Sequence, residues 1–78
     1  MALVREIEKH YGSRNRLHVA TVGKYKVFRV EGETYLQINT FGSPARESRE
    51  HPSQTMQFGP EGLAKLREIL EREVFATR

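Results

Sequence analysis

The sequence predicts an α+β fold in which one small sheet is covered on one side by one helix, and three observations predict it. Residues 17–41, LHVATVGKYKVFRVEGETYLQINTF, lack proline and are rich in valine, tyrosine, phenylalanine and threonine, the composition of pleated, half-buried strands. Thr55, Met56, Gln57 and Phe58 alternate polar with apolar after a polar stretch. From Pro60 onward, PEGLAKLREILEREVF repeats its apolar residues at steps of three and four, the period of a helix with one buried face.

Each element has its own signal. ALVREIEKHY can be written as a strand (Leu3, Ile7, Tyr11) or as a short helix (Leu3, Ile7, His10, Tyr11), and the strand is the favoured reading. GSRNR, residues 12–16, is a basic, turn-rich connector. Glu31-Gly32 divides KYKVFRV from TYLQINTF as a tight hairpin turn. Period two puts Leu36, Ile38 and Thr40 on one face of the second strand and Tyr35, Gln37, Asn39 and Phe41 on the other. In the first strand Tyr25, Val27 and Arg29 stand opposite Lys24, Lys26, Phe28 and Val30.

A polar loop over 42–53 carries Arg46 and Arg49. The helix spans 60–75, with Pro60 in the first turn, Glu61 at the positive end of the dipole and Leu63, Leu66, Leu70 and Val74 as its stripe, widened by Ile69. Glu61–Lys65, Glu68–Arg72 and Arg67–Glu71 are spaced for ion pairs on its outside. The chain thus reads as a single domain over 1–78, with 1–21 as strand or short helix plus connector, strands over 22–59 and the helix last.

Length limits what this domain can do alone. A chain of 78 residues buries only about 60% of the surface its unfolded form exposes, and without cysteine it has neither disulfides nor thiolate zinc to compensate. A homodimer is the expected remedy. The missing cysteines fit a reducing cytoplasm, no apolar run approaches the roughly 20 residues of a membrane span, and MALVREIEKHYG is too charged for a signal peptide. Cytoplasmic localisation without a membrane partner is expected.

The charge of +3 is unevenly spread. Residues 1–31 hold seven cations against three glutamates, whereas 32–59 carries −1 and 60–78 is neutral. The surplus in the first half makes a local field for an anionic partner.

Catalytic patterns do not emerge. His10, His18 and His51 lack metal-ligand spacing, and Ser13, Ser43, Ser48 and Ser53 lack a nucleophile elbow. There is no aspartate, which removes the commonest partner of histidine in triads and of magnesium in nuclease sites. Glu47, Glu50 and His51 form the one acid–base group on which a small hydrolase or nuclease would rest, and they read more simply as a solvated charge run. Gly59-Pro60-Glu61-Gly62 puts proline and an acid where a phosphate loop needs backbone N–H groups. No enzyme activity, cofactor or metal is expected.

What rises above this background is the combination of cations, aromatics and amides on strands. Single-stranded nucleic acid is bound by lysines and arginines that track phosphates and by rings on which bases stack. Tyr25, Tyr35 and Phe41 share strands with Lys24, Lys26 and Arg29, and Gln37 and Asn39 supply hydrogen-bonding groups. The same rings suit a second apolar layer or a protein interface equally well.

The run GKYKVFRV, ETYLQINTF, polar loop, SQTMQFGPEGLAKLREIL, over about residues 22–73, resembles the positive-cofactor-four transcriptional coactivator family and its purine-rich-element-binding and Whirly relatives. The resemblance implies a curved antiparallel sheet backed by a helix, a homodimer formed largely through the helices, and binding of single-stranded DNA or RNA in transcription or DNA maintenance. Carried over by position, Lys24, Lys26 and Arg29 match the basic first strand, Tyr35 and Gln37 the second, and Arg46 and Arg49 the loop, with Asn39 beside them. Leu66, Ile69, Leu70 and Val74 match the dimer-forming helix. The chain departs from that pattern in lacking tryptophan and in carrying Glu47 and Glu50 where the coactivators have a lysine-dense loop.

Overall fold

The computed structural model describes residues 1–42 and 52–76. Four strands and a helix follow in order: β1 Ala2–Val4, β2 Gly23–Val30, β3 Glu33–Thr40, β4 Gln54–Phe58 and α1 Pro60–Ile69, which widens into a π-helical turn over Leu70–Val74. The fold is α+β, with strands in the order β1-β4-β3-β2.

The sheet is mixed rather than antiparallel throughout. β2, β3 and β4 pair antiparallel as expected, but β1 runs parallel to β4, with Ala2 opposite Met56 and Val4 opposite Phe58. One residue beyond Phe58 the chain has become Gly59-Pro60, the cap and first residue of α1. Arg5 therefore has no strand to pair with, and the strand expected through Tyr11 stops at Val4. Arg5 to Val22 carries no regular element, so the short-helix alternative does not form either.

The Glu31-Gly32 turn forms as expected. Val30 pairs with Glu33, and the two loop residues have φ of 51° and 82°, both in the left-handed region that suits the twist of a two-residue hairpin. Glycine adopts this conformation freely, whereas glutamate does so at a cost of roughly 1–2 kcal/mol. Glu31→Asn is accordingly expected to raise stability by about 0.5–1 kcal/mol, since asparagine tolerates this region better. A higher thermal midpoint by calorimetry checks it, and an unchanged or lower one refutes it.

α1 starts where the sequence places it. Pro60 occupies the first turn, and the Leu63 N–H donates to the Gly59 carbonyl at 2.8 Å. Gly62 is buried because the helix begins directly on β1: a Cβ there would lie 2.5 Å from the Val4 carbonyl oxygen. Of the expected ion pairs Arg67–Glu71 forms at 3.1 Å, while Lys65 pairs with Glu68 rather than Glu61. Lys9 reaches Glu73 at 3.1 Å, tying the N-terminal segment to the helix end.

The register sorts the sheet into two faces. Val27, Leu36, Phe58 and Val4 form one row and Tyr25, Ile38, Met56 and Ala2 the next, on the side where Leu66 of α1 lines a cleft with Ile38, Met56 and Phe58. Among the described residues only Phe41 and Phe58 are buried hydrophobics, 8% and 7% exposed. The helix leaves much of its own side bare. Tyr25 is 75% and Val27 59% exposed.

Candidate nucleic-acid interface

The face away from α1 is built by the other parity of each strand. β2 contributes Lys24, Lys26 and Phe28, β3 contributes Tyr35, Gln37 and Asn39, and β4 contributes Thr55 and Gln57. In the hairpin register Lys24 stands opposite Asn39, Lys26 opposite Gln37, and Phe28 opposite Tyr35. Cations, amides and rings therefore occupy matching positions on adjacent strands.

The rings of Phe28 and Tyr35 stack, with centroids 5.6 Å apart and planes 14° from parallel. Tyr35 rests on Gly59, where a Cβ would come within 3.0 Å of the ring. The Lys26 ammonium lies over Phe28 at 5.9 Å, and that of Lys24 over Phe41 at 5.3 Å. Cation–π contacts at such exposed sites contribute only about 0.5–1 kcal/mol. Either lysine can leave its ring for a phosphate at small cost.

Between the rings and the far edge runs a ladder of polar side chains. Gln57 Nε2 donates to Gln37 Oε1 at 2.9 Å, Gln37 Nε2 to Asn39 Oδ1 at 3.1 Å, and Thr55 Oγ1 to the same Asn39 oxygen at 3.0 Å. All four residues are half-buried. The bonds hold the amides in fixed orientations above the pleat. At the β1 side, Arg5 lines a small cleft of about 50 Å³ with Tyr35 and Leu3, alongside Glu33 and Glu61.

The sequence-based set is thus partly assembled. Lys24, Lys26, Tyr35, Gln37 and Asn39 share one face, while Arg29, opposite Thr34, and Tyr25, opposite Ile38, belong to the helix side. Phe41 is buried, which fits the second-layer reading rather than base stacking. Arg46 and Arg49, with Glu47, Glu50 and His51, lie outside the described residues. The composition-based reading overlooked Phe28, Thr55 and Gln57. Period two already set Phe28 beside Lys24 and Lys26, but only the pairing of β3 with β4 brings Thr55 and Gln57 to Asn39 and Gln37.

The helix residues expected at a dimer interface also divide. Leu66 lines the apolar cleft of about 310 Å³ with Ile38 and Met56, whereas Ile69 lines a groove with Ile7 and Lys9 from the N-terminal segment. Leu70 is half-buried and Val74 is exposed. Away from these faces, the hydrogen bond from Lys65 draws the Glu68 carboxyl below its ordinary range, helped by the charges of Lys65 and Arg72. Among the described residues no group of three or more histidines and carboxylates stands together to hold a metal, and no helix is long and apolar enough to cross a membrane. No protein-family model, curated protein or solved structure matches this chain.

Proposed function

We propose that this protein is a non-catalytic module that binds single-stranded DNA or RNA on the sheet face away from α1, in transcription or DNA maintenance. The observation that carries the reading is the stacked Phe28–Tyr35 pair flanked on one face by Lys24, Lys26 and an ordered amide ladder. Bases stack on the rings as the lysines swing from ring to phosphate, and the sheet curves along the strand it holds. Stacking contributes roughly 1–3 kcal/mol per base. The phosphate part releases counterions.

Fluorescence-anisotropy titration with oligo-dT at several salt concentrations tests this. Affinity is expected to fall with salt at a log–log slope of about −0.7 per phosphate engaged. Absence of binding at low salt, or binding indifferent to salt, defeats the reading.

A homodimer completes it. The accessible surface is 7122 Å², against about 4,900 Å² for a folded monomer of this mass. Part of the excess belongs to residues 8–22, all exposed, and part to the bare helix side with Tyr25, Val27, Ile38 and Met56. That side is the reason to keep a second reading, a protein-interaction or homodimerisation domain of a regulatory protein. A second copy covering it, with Leu66, Ile69, Leu70 and Val74 at the margin, satisfies both, because a standard interface removes roughly 800 Å² per partner.

A further inference from the structure

β2 is an outer strand of the sheet, and among the described residues no strand pairs with its far side. Its eight residues, Gly23–Val30, keep an unbroken register with β3, without proline or bulge. Such an edge is a ready template for another strand. The hairpin fixes which groups it offers. A two-residue turn closes on a hydrogen-bonded pair, here Val30 and Glu33, and bonded pairs then alternate along an antiparallel ladder. Phe28, Lys26 and Lys24 therefore bond to β3, while Arg29, Val27, Tyr25 and Gly23 turn their N–H and C=O groups outward. Tyr25, Val27 and Val30 are also exposed on this strand.

The strand that suits this edge is the same edge of a second copy, because β2 complements itself in one register. Two copies paired antiparallel are related by a two-fold axis perpendicular to the sheet, which keeps each side chain on its own face and puts the axis through a residue. An axis at Lys26 sets the two copies of Lys26 against each other, and an axis at Tyr25 sets Lys24 against Lys26; like charges directly opposite are unfavourable. An axis at Phe28 pairs two fewer residues of each strand than one at Val27. With the axis at Val27, Lys26 faces Phe28, Lys24 faces Val30 and Tyr25 faces Arg29, and every outward backbone group between Tyr25 and Arg29 meets its counterpart. The two copies of Lys26 then lie only on a diagonal, about 7–8 Å apart, near the Debye length at physiological salt.

We propose that two copies of this chain join edge to edge through β2, antiparallel and centred on Val27, merging two four-stranded sheets into one. The pairing rests on the second copy of the reading above and gives that copy a seat. Tyr25 and Val27 of both copies come together on the helix side, and Lys24, Lys26 and Phe28 of both come together on the other.

The chain has no cysteine, so single-cysteine variants report proximity between copies without background. In this register the two Val27 Cα atoms lie about 5.5 Å apart, within reach of a disulfide. The two Arg29 Cα atoms are four residues out of step, roughly 14 Å apart and beyond it. On mild oxidation Val27→Cys is expected to give a covalent dimer on non-reducing gels, in at least about tenfold the yield of Arg29→Cys. In sedimentation the unaltered chain is expected to double its 9.0 kDa mass reversibly. Val27→Lys, which sets like charges on the axis, is expected to weaken this association about tenfold or more. Met56→Lys, on the helix side but two strands in from the edge, is expected to weaken it less than about threefold. Equal cross-linking of the two cysteine variants overturns the edge pairing. Loss of association in Met56→Lys but not in Val27→Lys overturns it in favour of the helix side. A chain that stays monomeric up to about 1 mM defeats the second copy itself. The nucleic-acid reading stands or falls separately, by the oligo-dT titration.

Discussion

Phe58→Ala is expected to leave the protein largely unfolded at room temperature. Phe58 ends β4, pairs with Leu36 and Val4, and its ring lies 3.5 Å from the Cβ position of Gly62, so it joins β1, β3 and the helix start at one point. Truncating a buried phenylalanine costs about 3–5 kcal/mol. Small domains hold only about 5–15 kcal/mol in total, and with two buried hydrophobics among the described residues this one sits at the low end. Urea unfolding followed by circular dichroism measures the loss. Phe58→Leu, which keeps most of the volume, is expected to cost less than about 1.5 kcal/mol. An alanine variant within 1 kcal/mol of the unaltered protein would show that the core lies elsewhere.

The largest effect on binding is expected from reversing both lysines of the face away from α1. Lys24→Glu with Lys26→Glu replaces attraction to phosphate with repulsion at two adjacent outward positions of β2. At about 1 kcal/mol per close charge pair in water, affinity for oligo-dT falls by more than roughly tenfold at low salt. The log–log salt slope becomes shallower by about 1.4, two phosphates at roughly 0.7 each for a single strand. Arg29→Glu is the matching control. It lies on the same strand but on the helix side, opposite Thr34, and is expected to change affinity less than about threefold. A loss from Arg29→Glu about half as large on a logarithmic scale as that of the double lysine variant, or larger, would mean that net charge rather than the face carries binding, and the assignment of the face would fall.

That control marks where sequence reasoning stops for this site. Lys24, Lys26 and Arg29 lie within six residues on one basic strand, and composition treats them alike. Alternation separates Arg29 from the lysines, but alternation alone does not say which parity the helix covers. That depends on α1 folding back so that Leu66 meets Ile38, Met56 and Phe58. Tyr25 follows the same logic, since a tyrosine next to two lysines reads as a stacking residue until the register sets it opposite Ile38. Phe41 reads as a stacking candidate by parity yet is buried.

The sequence by itself determined the local elements: the Glu31-Gly32 hairpin, the strands on either side of it, the strand ending at Phe58 and the helix opening at Pro60. Each follows from forces acting between residues near in the chain, such as pleat alternation, turn dihedrals and the helical repeat. Tertiary structure alone decided the parallel β1, its early end at Val4 and the meeting of Thr55 and Gln57 with Asn39 and Gln37. These are contacts between segments separated by tens of residues, whose free energy arises only when β4 and α1 have docked, so no local pattern encodes them.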